Sequence, residues 1–117
     1  MTLEERLYIE LAAVCPRVFP DFAPPETERP YVTFQQIGGE VVECLDNTVP
    51  SKENADMQVN VWADSRKEAK AVILAIEARL SGATEIQASP IAAAVSDFEA
   101  DMARYCSRQD FDIWADR

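Results

Sequence analysis

The chain contains no histidine. That removes the commonest general base and metal ligand, and with it any Ser–His or Cys–His nucleophile pair drawn from this chain. Glycine is nearly as scarce: Gly38, Gly39 and Gly82 are the only three, too few for a phosphate-cradling loop. Cys15, Cys44 and Cys106 are odd in number and lack metal-type spacing, so they read as reduced thiols serving as small hydrophobes. No apolar run approaches the ~18 residues of a membrane helix. Met1-Thr2-Leu3-Glu4-Glu5 has neither a basic n-region nor an apolar h-region, which predicts no signal peptide and a cytosolic chain with no membrane partner. Cations are also short: 11 Lys and Arg against 21 Asp and Glu leave a net charge of −10. Binding to phosphates depends on Lys/Arg clusters that release counterions, so the overall field does not favour nucleic acid.

What is present reads as scaffold. At 117 residues the chain is expected to form a single domain, 1–117, burying roughly 65% of its unfolded surface. Thr2-Leu3-Glu4-Glu5 has the form of a capping box, and Leu3, Leu7, Leu11 and Val14 then form one stripe of a helix that ends before Pro16. Prolines 16, 20, 24, 25 and 30 exclude helix and central strand, so this stretch is expected to run extended, anchored by Val18, Phe19 and Phe22. Tyr31 to Ile37 reads as a strand. Gly38-Gly39 predicts a tight hairpin turn, with Glu40 to Leu45 as the returning strand and Asp46 to Asn54 as a mobile loop.

Ala55 to Ala63 alternates cleanly, with Met57, Val59, Val61 and Ala63 on one face and Gln58, Asn60 and Trp62 on the other. Ser65-Arg66-Lys67-Glu68 is a second capping box. Behind it Ala69, Val72, Ile73, Ile76 and Leu80 make the stripe of a long helix, with Gly82 in the C-cap place. Glu85 to Val95 predicts a short strand broken at Pro90, Asp97 to Asp101 an acidic loop or edge, and Ala103 to Trp114 the last strand. The fold class is therefore α+β: a single antiparallel or mixed sheet, an N-terminal helix, and one long helix packed on the sheet.

No catalytic, cofactor-binding or metal-binding residue emerges. Asp97-Phe98-Glu99-Ala100-Asp101 begins like a calcium loop, but Met102 and Arg108 stand where that loop needs glycine and glutamate. Asp110 and Asp112 share a strand face, yet no base or glycine loop accompanies them, and exposed strands often carry such charge against edge pairing. Trp62 and Trp114 read as covering a core or an oligomer seam. An enzyme is not expected.

The order of the segments carries more than any one of them. A helix leads through prolines to Pro30-Tyr31-Val32. Val59-Asn60-Val61-Trp62-Ala63 runs into Ser65-Arg66-Lys67-Glu68-Ala69, and the chain closes on Tyr105 and Asp110-Phe111-Asp112-Ile113-Trp114. This resembles the phage tail completion family, which includes head–tail joining and tail terminator proteins of phages and prophages. The resemblance implies a virion protein without catalytic residues. It implies a ring of copies, typically six, that caps the tail tube and docks to head connector and neck proteins, assembled in the host cytoplasm. Gly38, Gly39, Val49, Pro50 and Ser51 are the candidate partner-contact loop. Asp97, Glu99 and Asp101 are the candidate acidic face of the ring's lumen, with Asp110 and Asp112 as the alternative. The rival reading is an acidic mimic of DNA that inhibits a host nucleic-acid-binding protein. Mimicry wants carboxylates in a long single-faced array, whereas here they are spread along the chain.

Both readings forbid direct contact with nucleic acid. The protein should show no measurable binding to duplex DNA at physiological salt in a mobility-shift titration, since its net charge of −10 repels phosphates overall. A shifted band would overturn this.

Overall fold

A computed structural model describes residues 1–117. In chain order the elements are α1 (Leu3–Val14), β1 (Val18–Pro20), β2 (Tyr31–Gly38), β3 (Lys52–Ala63), α2 (Arg66–Ser81), β4 (Gln87–Pro90), β5 (Val95–Glu99) and β6 (Arg104–Asp116). They form one six-stranded sheet in the order β1-β2-β3-β6-β4, with β5 also on β6. Only β1 and β2 run parallel, so the α+β class holds with a mixed sheet.

The centre is the antiparallel β3–β6 pair, in register from Lys52↔Asp116 to Ala63↔Tyr105. Strand periodicity of two puts Ala55, Met57, Val59, Val61 and Ala63 on one face, and all five are buried. Phe111 and Ile113 join them from β6, Val32 and Phe34 from β2. Both helices cover this face. Leu3, Leu7 and Leu11 of α1 and Ala69, Ile73, Ile76 and Leu80 of α2 complete the core, and Arg79 Nε donates to Glu10 Oε2 at 2.6 Å between the helices.

The helix ends follow their sequence signals in part. At α1 the capping box is complete: Glu5 N donates to Thr2 Oγ1 and Thr2 N to Glu5 Oε1, both at 3.1 Å. At α2, Ser65 Oγ accepts from Glu68 N at 3.1 Å, but the Glu68 carboxylate reaches one residue further back, to Asp64 N at 3.4 Å. Gly82 is the C-cap residue, with right-handed φ −95° rather than the left-handed conformation that favours glycine.

The proline-rich stretch runs extended as expected, and part of it pairs as an edge strand. β1 lies at the sheet edge, where prolines are tolerated, and Val32 N donates to Arg17 O and Asp21 N to Phe34 O, both at 2.8 Å. One expectation needs correction: Gly38-Gly39 is not a two-residue hairpin turn. β2 pairs with β3, residues 39–51 form an irregular connection with no strand at 40–45, and β3 starts at Lys52, inside the expected loop. The alternation at 55–63 offers a whole face to the core and wins the edge of β2, whereas Val41-Val42 lacks alternation; burial overrides turn propensity. Gly39 is still required. Its φ is 148°, and a Cβ there would lie 2.7 Å from the Asn54 carbonyl oxygen. Of the two places expected for the tryptophans, the core is not taken: Trp62 and Trp114 lie on the opposite sheet face.

The 85–102 segment lines the outer edge of β6. β4 pairs with Phe111–Trp114 and β5 with Arg104–Arg108. Between them Gln109 Nε2 donates to Ala92 O and Ile91 N donates to Asp110 O, both at 2.9 Å. No helix is long and apolar enough to cross a membrane.

Adjacent residues of α2 test the packing. Ile73 is 0% exposed and Leu74 is 49% exposed. Ile73→Asp should cost at least about 3 kcal/mol by burying an unpaired carboxylate, while Leu74→Asp should change stability by less than about 0.5 kcal/mol. Urea denaturation midpoints decide this; equal midpoints for the two variants would contradict the packing.

Candidate functional site

The face of the sheet away from the helices is largely polar, and neither helix packs on it. Along β3 it presents Asn54, Asp56, Gln58, Asn60 and Trp62, and opposite them on β6 stand Trp114, Asp112, Asp110, Arg108 and Cys106. Near the Ala63 end these side chains lock together. The Arg104 guanidinium lies 4.0 Å from the centroid of the Trp62 ring and donates to Glu99 Oε2 from Nη2 at 2.7 Å and from Nε at 3.2 Å. Arg104 also donates to the Tyr31 hydroxyl, and the Tyr31 and Trp62 rings stack at 6.4 Å. Burial disfavours the charged guanidinium, but the Glu99 hydrogen bonds and Tyr31 outweigh it and raise the pKa above its ordinary value. Beside this cluster Arg108 Nε donates to Asn60 Oδ1 at 2.9 Å. Phe22, Tyr31, Trp62, Arg104 and Arg108 line a shallow cavity of about 290 Å³.

The predicted acidic face divides in two. Asp97 and Glu99 lie together on β5, on this open face, but each meets an arginine: Glu99 with Arg104 at 2.7 Å and Asp97 with Arg108 at 3.8 Å. Asp101 lies apart, exposed in the β5–β6 turn. The alternative pair, Asp110 and Asp112, is joined by Asp56, directly across from Asp112. None of these three makes an ion pair. Asn54 Nδ2 donates to Asp112 Oδ1 at 2.6 Å, and Asp110 Oδ1 is buried without a partner.

The predicted contact loop projects beyond the end of the β2–β3 pair. Val49 and Ser51 are exposed and Pro50 half-buried, while Gly38 and Gly39 form its first limb. Val41 (85% exposed), Leu45 (fully exposed) and Val49 (78%) leave three large apolar side chains in solvent. Its tip is held by Asp46 Oδ1, which accepts from Thr48 N at 3.1 Å and Thr48 Oγ1 at 2.7 Å. Those bonds, the hydroxyl's first, hold the Asp46 carboxyl below the usual range. Tyr31, Arg104, Arg108 and Asp56 escaped the sequence reading, because only the β2–β3–β6 register brings them onto one face.

No group of His, Cys, Asp or Glu side chains here could hold a metal ion. The family model for tail completion protein gp17 matches residues 9–116. The chain belongs to that family. It is thus a structural protein of phage-type tails, which places it with other tail or head proteins. In a solved structure described as the virion of a native gene transfer agent particle, one chain has the same fold: TM-score 0.62, 19% identity, covering 98% of this chain and 95% of that one. No curated protein matches.

Thiol reactivity should separate the loop of this family member from its body. Cys15 and Cys106 are buried and Cys44 in the loop is half-exposed; burial, the largest influence on Cys106, pushes its thiol pKa up. One of the three thiols should react promptly with Ellman's reagent at pH 8, the others only on unfolding. Prompt reaction of Cys106 would contradict the β5–β6 pairing.

The Asp46 turn carries its own pH signature. A depressed folded pKa means the turn is favoured above the unfolded value and lost as pH falls through the folded one. The Thr48 amide resonance should therefore titrate at a pH below the usual Asp range; an unperturbed midpoint would contradict the hydrogen bonds.

Proposed function

We propose that the protein forms a ring, six-fold in the family pattern, that caps the finished tail tube and provides the surface on which head connector and neck proteins dock. It assembles in the host cytoplasm and ends in the tail or neck of the particle. The observation that carries this reading is the family match over almost the whole chain. The three apolar side chains of the 39–51 connection support it, since a monomer gains nothing by exposing them. Heterologous contacts between identical copies close into rings when the rotation allows.

Six copies carry a formal charge of about −60, six times −10. An acidic lumen keeps transiting DNA mobile by repulsion, screened over about 8 Å. Asp97, Glu99 and Asp101 are one choice for that lining. Asp56, Asp110 and Asp112, which have no cationic partners, are the stronger one. The protein acts without catalysis and without holding DNA.

Replacing Val49-Pro50-Ser51 with glycines should leave the thermal midpoint within about 3 °C, because these residues lie outside the core. It should abolish tail completion in a complementation assay. Infectious or DNA-transferring particles at wild-type titre from that variant would remove the loop from the mechanism.

A further inference from the structure

The connection 39–51 is acidic as well as apolar. It carries Glu40, Glu43 and Asp46 and no cation. At its base Lys52 pairs with Asp116, and Arg117, whose backbone N donates to Ser51 O at 2.8 Å, makes no ion pair. One surface of the molecule has the complementary character. Arg66, Lys67 and Lys70, in the first turns of α2, are all exposed and are the only cluster of cations without ion-pair partners. The acids beside them are committed elsewhere, Asp64 to Arg29 at 3.1 Å and Glu68 to the helix cap. On the same outward stripe, three to four residues apart, come Ala71, Leu74 and Ala78, also exposed. The result is a basic patch running into an apolar one.

The connection and the basic patch lie at opposite ends of β3. The connection enters at Lys52, and α2 starts just past Ala63. Eleven strand rises separate them by roughly 36 Å, in a molecule 53 Å long. The connection is tied down at both ends, so it projects at most about half its contour length, roughly 25 Å. It cannot reach its own α2 start.

We infer that the 39–51 connection of one copy docks on the outward face of α2 of a second copy. Glu40, Glu43 and Asp46 meet Arg66, Lys67 and Lys70, and Val41 and Leu45 cover Leu74. This rests on the ring reading and supplies its seam. Each copy offers its loop at one end and the start of α2 at the other, so the contact is head-to-tail and propagates until it closes.

The test is a charge swap read by sedimentation at rising concentration in low salt, with wild type, Glu40→Lys/Glu43→Lys and Lys67→Glu/Lys70→Glu. All four side chains replaced are exposed, so the variants should keep the wild-type circular dichroism. Each variant alone should need a concentration at least about tenfold higher than wild type to assemble, as expected for two repulsive pairs per seam. Mixed in equal amounts they should assemble as wild type does, because alternating copies restore every contact. If either variant assembles at the wild-type concentration, or if the mixture does no better than its parts, this seam is wrong while the ring stands. Wild type that stays monomeric both alone and at tail-tube ends overturns the ring and the seam together.

Discussion

The antiparallel pairing of β3 with β6 is the constraint from which the rest follows. Because strand side chains alternate, one register decides both faces of the sheet at once. With Met57 opposite Phe111, the apolar set of β3 meets the helices and Asp56, Asn60 and Trp62 point away from them. A slip of one residue would send Val59 and Val61 to solvent and bring carboxylates into the core. The pair is also long. It outruns the core at its Lys52 end, where Asp116 receives Lys52 and the chain leaves as an irregular connection.

Much of this was legible in the residues. The stripes Leu3-Leu7-Leu11 and Ala69-Ile73-Ile76-Leu80 specify two helices that each bury one side, and the α1 capping box marks its start. The 55–63 alternation assigns the core face of β3 correctly. Pairing partners were not legible. Gly38-Gly39 is a sound local hairpin signal, but the competition for the edge of β2 is settled by burial of Val59 and Val61 far along the chain. β1 is three residues long and rich in proline nearby, so no periodicity announces it.

The candidate surfaces show the same division. The acidity, the lack of histidine and the exposed loop residues can be read directly from composition. The Tyr31–Trp62–Arg104–Glu99 cluster cannot, because its four members come from four strands and meet only through register. It also changes the meaning of Glu99 and Asp97, which read as free carboxylates in the sequence but face Arg104 and Arg108 in the fold. Asp56, by contrast, gains importance, standing opposite Asp112 without an ion-pair partner.

The functional account joins these parts. A sheet-and-helix body holds an acidic, apolar loop at one end and a basic, apolar helix start at the other, and membership of the tail completion protein gp17 family gives such a body a place in a phage-type tail. Electron microscopy of the purified protein mixed with tail tubes from the particle that encodes it tests this most directly. The account predicts closed rings seated on one end of the tubes, with the 39–51 connections lying between neighbouring copies. Bare tube ends beside dispersed monomers, or two-fold dimers along the tube wall, would contradict it.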